Sequence, residues 1–193
     1  MLGGDYCVRG AWPGETLRRL HSLENALWIR GNTDRALIEA GEDDPYYEPI
    51  TVTLRALSHD DVDQLYALPV KVELDGVLYC HGCPLSDIES FAPEPEPGEE
   101  RLLAGERERK IFFGHTHLQF RRPGPNGTDL VNPGSVGLPL DGDRRAAWAL
   151  VGDDGSIELR RTAYDVEPAI ARLRELGTAW ADETADWLSA AAR

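Results

Sequence analysis

The spacing of apolar positions changes along the chain, giving a first half dominated by helical periods and a second half dominated by short strands. Leu17, Leu20 and Leu23 recur at three-residue spacing behind Pro13 and Glu15, which predicts a helix over residues 13–23. The apolar run at 26–29 stops at Arg30-Gly31-Asn32, and Ala36, Leu37 and Ala40 predict a second helix ending at Gly41. Ser58 and Asp61 make a capped start for a helix that buries Val62, Leu65, Tyr66 and Leu68 and ends at Pro69. Residues 70–74 and 77–80 flank Asp75-Gly76, the signature of a tight hairpin. Strands follow at 111–113, 118–122, 129–131, 146–151 and 156–162, with glycine-rich turns between the later ones. Residues 166–176 and 178–192 return to helical spacing, with Ile170, Leu173, Leu176, Trp180, Trp187 and Leu188 on the packed faces. The segment 92–100, with three prolines and four glutamates, predicts an exposed connector.

These elements predict an α/β fold: a sandwich of two mixed β-sheets flanked by helices. A single domain over residues 1–193 is expected, with its core at about 3–162 and closing helices at about 165–192. Gly3-Gly4-Asp5 opens the chain as the end of a strand does, so the first strand of the domain is expected to be missing from it.

Charge narrows the partners. With 20 Lys+Arg against 34 Asp+Glu the net charge is −14, and no basic cluster exceeds two residues, which disfavours generic binding to nucleic acid. No apolar run reaches membrane-spanning length and no signal peptide is visible, so a cytoplasmic protein is expected. Cys7, Cys80 and Cys83 are an odd number in a chain long enough to fold without staples, which disfavours a disulfide framework. Cys80 and Cys83 form a C-x-x-C, but a zinc site needs four ligands and only Cys7 remains. Cys80 is therefore expected in the core.

The chemistry gathers where strand-like runs end: Asp5 after two glycines, Asn32 after Gly31, His81 before Gly82, and His115 and His117 after Gly114. Strand ends collect polar side chains over a rigid sheet, so residues far apart in sequence can share one pocket. Three imidazoles, one carboxylate and one amide suit Mn, Fe, Co, Ni or Zn better than Ca. Singly, each group has a plainer reading as a turn or a satisfied polar residue; together and in order, they predict a metal site.

Gly4-Asp5, Gly31-Asn32-Thr33-Asp34, His81-Gly82 and Gly114-His115-Thr116-His117 resemble four of the five blocks of the calcineurin-like metallophosphoesterases. Asn132-Pro133-Gly134-Ser135-Val136-Gly137 is similar to a run in that family's small bacterial and archaeal phosphodiesterase branch. The resemblance implies that Asp5 bridges two divalent metals, manganese first among them. Asn32, His81 and His115 would complete one site, and His117 would belong to the other. The family's first block, Asp-x-His, has no counterpart, which leaves one site complete and the second half-filled. An upstream start, a trimmed chain and a degenerate relative would each account for this.

Two further departures matter. Thr33 stands where the fuller motif has a histidine that protonates the leaving group, which predicts slower turnover or esters whose leaving group needs little protonation. Leu85 stands where related sequences often have a phosphate-holding arginine; Arg9, Arg30 and Arg35 are substitutes to be weighed against plain surface roles. The resemblance implies a metal-dependent phosphoesterase, and more narrowly a phosphodiesterase, acting on a small phosphate ester through a metal-bound water. The rival expectations are an inactive scaffold of the same fold making protein contacts, and a nucleotide-binding regulator without chemistry. An uncovered sheet edge would favour pairing into a homo-oligomer.

Overall fold

In the computed structural model, which describes residues 1–193, Asp75 and Gly76 both take positive φ, +50° and +74°, the geometry of a type I′ turn. That turn joins β1 (Lys71–Leu74) to β2 (Val77–Cys80) as an antiparallel pair. Beside β2 lies β3 (Lys110–Phe112), parallel to it, and β3 pairs in parallel with β5 (Asp129–Pro133). The edge is β4 (Gln119–Pro123), antiparallel to β5, so the mixed sheet runs β1-β2-β3-β5-β4. Its two parallel pairings direct the ends of β2 and β3 the same way, which sets His81 and the Gly114–His117 loop side by side.

The second sheet is an antiparallel pair, β6 (Ala146–Val151) with β7 (Ile157–Thr162). The strand expected at 26–29 reduces to one parallel bridge between Leu2 and Trp28. There the Leu2 N–H donates to the Leu27 carbonyl at 2.8 Å and the Ile29 N–H to the Leu2 carbonyl at 3.1 Å.

Four helices precede the mixed sheet: α1 (Pro13–His21), α2 (Asn32–Glu39), α3 (Tyr47–Leu54) and α4 (His59–Tyr66). They share a core of Cys7, Leu17, Leu37, Ile50, Val62 and Leu65. Helix α4 starts as expected, with Ser58 and Asp61 forming a capping box. The periodicity gave no hint of α3, because Pro49 and its β-branched run are poor helix formers. Burial decides there: Ile50 and Thr53 are each 2% exposed, and Thr53 bonds back to the Pro49 carbonyl. The closing helices α5 (Glu167–Glu175) and α6 (Ala179–Ala190) pack through Leu173, Trp180, Ala181, Ala185 and Leu188.

The exposed connector expected at 92–100 needs correction at its end. Glu99 begins a 3-10 segment, Glu99–Leu103, and is 8% exposed because Arg122, itself 9% exposed, grips both carboxylate oxygens at 2.6 and 2.9 Å. Leu102 and Leu103 pack beneath it with Phe91 and Ile111. Cys80 and Cys83 are free thiols in that same core, and Cys7 is free in the other.

Candidate metal centre

Asp5 follows Gly4 and Asn32 follows Gly31, and each of these glycines allows a backbone approach that a side chain would block. A Cβ on Gly4 would fall 2.6 Å from the Gly31 nitrogen, and a Cβ on Gly31 would fall 2.1 Å from Asp5 Oδ1. The two loops therefore meet backbone to backbone, and the Thr33 N–H donates to Asp5 Oδ1 at 2.9 Å. His81, one residue beyond β2, reaches this junction from the mixed sheet, and its Nε2 lies 3.2 Å from Asp5 Oδ2. His115 arrives from the loop after β3, its ring centroid 5.4 Å from that of His81 and nearly perpendicular to it.

Asp5, His81 and His115 each offer a ligand atom, and these atoms all lie within 4.8 Å of one another. Asn32 stands between the rings, with its Oδ1 3.0 Å from His81 Nε2 and 2.9 Å from His115 Nδ1. His117 lines the same cleft, its Nδ1 donating to the Leu138 carbonyl at 2.7 Å, which leaves Nε2 with the lone pair. The cleft has a volume of about 760 Å³. It runs from these polar groups along an apolar wall that includes Tyr79, Phe112 and the Ala147, Ala149 and Val151 face of β6.

The electrostatics call for positive charge at the centre. His81 Nδ1 lies 2.7 Å from the Gly3 carbonyl and must donate to it, so Nε2 is the atom that faces the oxygens of Asn32 and Asp5. Two oxygens and a bare imidazole lone pair cannot bond one another; a cation must stand among them, either a proton or a metal ion. Without metal, the proton takes that place. Burial opposes charging of His81, but the Asp5 carboxylate outweighs it and pushes the imidazolium up to about 9. Burial likewise raises Asp5, and the His81 charge and hydrogen bond override it and hold the carboxyl down at about 2. His115 and His117 are lowered, chiefly by burial, which keeps their imidazoles neutral and able to ligate. Asp34, fully buried under the two loops, is pushed up to about 6 by burial and by the Asp5 charge.

A donor set of imidazole nitrogens, an amide oxygen and a carboxylate fits a divalent first-row metal. Asp5, Asn32, His81 and His115 converge, while His117 faces the same space from farther along its loop. Of the arginines, Arg35 pairs with Asp87 and Glu39, and Arg30 bonds the Tyr66 carbonyl, so both are engaged elsewhere. Arg9 lines the cleft, paired with Glu183 and lying over the Trp187 ring at 4.4 Å. Leu85 is 53% exposed.

The site depends on one residue whose part was not read from the sequence. Asn132 is fully buried; its Nδ2 donates to the Gly114 carbonyl and to Thr116 Oγ1, both at 3.0 Å, and its Oδ1 accepts from the Gly134 N–H. It braces the loop that carries His115 and His117. The available signal was a carboxamide following the apolar pair Leu130-Val131 in a central strand.

Imidazole, carboxylate and amide donors thus meet in one cleft of a layered α/β fold, the class of arrangement that holds a divalent metal. The chain belongs to the calcineurin-like phosphoesterase superfamily, whose domain model matches residues 3–154. It is similar to the uncharacterized protein MJ0912 of Methanocaldococcus jannaschii, at 27% identity covering 88% of this chain and 78% of that one. Among solved structures, a metallophosphoesterase from Sphaerobacter thermophilus superposes with a TM-score of 0.78 at 23% identity, covering 97% of this chain and 86% of the other. The hypothetical protein PH1004 of Pyrococcus horikoshii OT3 gives 0.72 at 18% identity, covering 90% and 76%. No helix is long and apolar enough to cross a membrane.

Proposed function

We propose that the protein hydrolyses phosphate esters, phosphodiesters by preference, with a divalent cation held by Asp5, Asn32, His81 and His115 and approached by His117. The observation that carries this is the placement of His81: its Nδ1 is committed to the Gly3 carbonyl and its Nε2 is aimed at two oxygens that need a cation between them. A metal ion there, with manganese our choice, would act as a Lewis acid toward a phosphoryl oxygen and lower the pKa of a coordinated water.

The chain's own residues supply the rest. Asp5 and Asn32 present oxygens fixed by their loops, His81 releases its Nε2 proton and offers that nitrogen to the cation, and His115 adds a second nitrogen donor. The preference for diesters rests on the similarity of the Asn132–Gly137 run to the family's phosphodiesterase branch, and Thr33 bears on the leaving group. A threonine cannot protonate a departing alkoxide near neutral pH, so the favoured substrates carry leaving groups that are already good, such as aryl esters.

The test is hydrolysis of bis(4-nitrophenyl) phosphate with Mn²⁺, comparing wild type with His81→Ala and Asp5→Ala, and with 4-nitrophenyl phosphate as the monoester control. Metal-dependent turnover that both substitutions abolish, and that is faster on the diester, is the expected result. Equal rates in all three proteins would remove these residues from the chemistry. Tight Mn²⁺ binding with no turnover on either ester would favour a scaffold that keeps the fold.

A further inference from the structure

Asp34 is the third residue after Gly31 and caps the start of α2, its carboxylate accepting the Gly31 N–H at 2.8 Å. A helix cap explains that bond and no other. The same carboxylate also accepts the Asp5 N–H at 2.8 Å on Oδ2 and the Tyr6 N–H at 3.1 Å on Oδ1, from a loop 28 and 29 residues away in sequence. Asp34 is 0% exposed, so water cannot substitute for any of the three bonds.

The loop it holds is strained. Asp5 has φ +60°, a left-handed conformation that an L-residue with a side chain adopts only under constraint. The Asp5 and Tyr6 amides both point at Asp34, so the turn that aims the Asp5 side chain at His81 is fastened from below by this single carboxylate. Gly31, bonded to the same Oδ2, precedes Asn32, and one oxygen thus ties the backbones of both oxygen-donor loops.

We propose that Asp34 is a positioning residue for the metal centre, a buried anionic tether that fixes Asp5 and Asn32 relative to each other before any cation arrives. The proposal rests on the metal-site reading above but assigns Asp34 no contact with metal or substrate.

The test compares Asp34→Asn with Leu37→Val, a packing change on the same helix beneath the same core. Asparagine exchanges one acceptor oxygen for an NH₂ group, so at least one amide of the Asp5 loop loses its partner. Hydrogen exchange at the Asp5 and Tyr6 amides, followed by NMR in chelator, reads the tether directly and without metal. Calorimetric titration with Mn²⁺ reads its consequence.

Asp34→Asn should speed exchange at one or both of those amides at least tenfold and weaken Mn²⁺ binding by about 10–100-fold, the usual effect of losing a residue that orients a ligand. Leu37→Val should lower the melting temperature and leave both readouts at their wild-type values. Wild-type exchange at both amides in Asp34→Asn would overturn the tether. Faster exchange with unchanged Mn²⁺ affinity would overturn the link to the metal. A wild-type protein that binds no Mn²⁺ would overturn the metal-site reading, and the exchange data alone would then decide the tether.

Discussion

The contact between Gly31 and Asp5 permits a sharp perturbation of the centre by a single methyl group. In Gly31→Ala the new Cβ would sit 2.1 Å from Asp5 Oδ1, 2.5 Å from the Asp5 nitrogen and 2.8 Å from its carboxyl carbon. To open even a 3.0 Å contact the carboxylate oxygen must retreat by about 0.9 Å, and the backbone nitrogen limits the direction it can take. Gly31 itself has φ −90°, so alanine is free of backbone strain there and the whole effect comes from overlap. Displacing a reacting constellation by about 1 Å costs on the order of 100-fold in rate, or about 2.7 kcal/mol of transition-state stabilisation. Overpacking at a buried contact costs about 1–3 kcal/mol of stability.

Gly31→Ala should therefore fold, melt several degrees lower, and lose about 100-fold in Mn²⁺-dependent kcat/KM on an aryl phosphodiester. Gly41→Ala is the matched control, because a Cβ there meets nothing within 4 Å. It should keep wild-type activity. Melting curves followed by circular dichroism, with and without Mn²⁺, separate the fold from the site. Wild-type turnover and wild-type Mn²⁺ affinity in Gly31→Ala would show that Asp5 does not need this position, and the ligand assignment would fall with it.

Other expectations follow from the same geometry. Removing metal with a chelator should lower the melting temperature, since a ligand at 100 times its dissociation constant stabilises the folded state by about 2.7 kcal/mol; an unchanged melting point across a Mn²⁺ titration would count against a built site. Asn132→Leu should take one donor from each of the Gly114 carbonyl and Thr116 hydroxyl, leave the Gly134 N–H without its acceptor, and cost about 1–3 kcal/mol, together with most of the Mn²⁺ affinity, as read by melting and calorimetry. Glu99→Gln at neutral pH should destabilise by about 3–5 kcal/mol, because Arg122 is then left buried without its counter-charge. Burial raises the Glu99 carboxyl but bonding to Arg122 outweighs it, so its folded pKa is lowered and its stabilisation is present above the unfolded value. That stability should be lost as pH falls through the folded pKa, and the melting-temperature difference between wild type and Glu99→Gln should shrink below about pH 4.

Much of the candidate centre was legible because its donors sit in short local motifs at strand ends, where glycine and a polar residue stand together. Asp5, Asn32, His81 and His115 all stand beside glycines, and the parallel pairing of β2 with β3 sets His81 beside the His115 loop, whereas Asp5 and Asn32 meet through loop backbones outside that sheet. What the pattern could not carry is non-local. The β6–β7 hairpin could be anticipated, but its pairing as a separate two-stranded sheet could not. Neither could the reduction of 26–29 to a single bridge, because strand partners are chosen by the whole fold. Helix α3 was hidden because its residues prefer other conformations and tertiary burial overrules them. The buried tie between Glu99 and Arg122 was hidden because a Glu- and Pro-rich composition describes a segment's average and says nothing of one residue's partner.

The backbone of the ligand loops was the least legible part, and it bears most on chemistry. Asp5, His115 and His117 all take positive φ, +60°, +65° and +62°, at about 1 kcal/mol or more each over an ordinary conformation. Such strain persists only where neighbours over-determine it. Here each strained donor has its own restraint: buried Asp34 beneath Asp5, buried Asn132 beneath the Gly114–Thr116 turn, and the Leu138 carbonyl on the His117 ring. His81, whose φ is not positive, is restrained by the Gly3 carbonyl. The constraints act on orientation from outside the donor cluster, so the donor atoms face inward before a cation binds. The half-buried Asp5 carboxylate and the buried Asp34 carboxylate both favour positive charge on His81 when no metal is bound. Cation and proton therefore compete for one position, and the strained loops leave the donors little freedom to accommodate both.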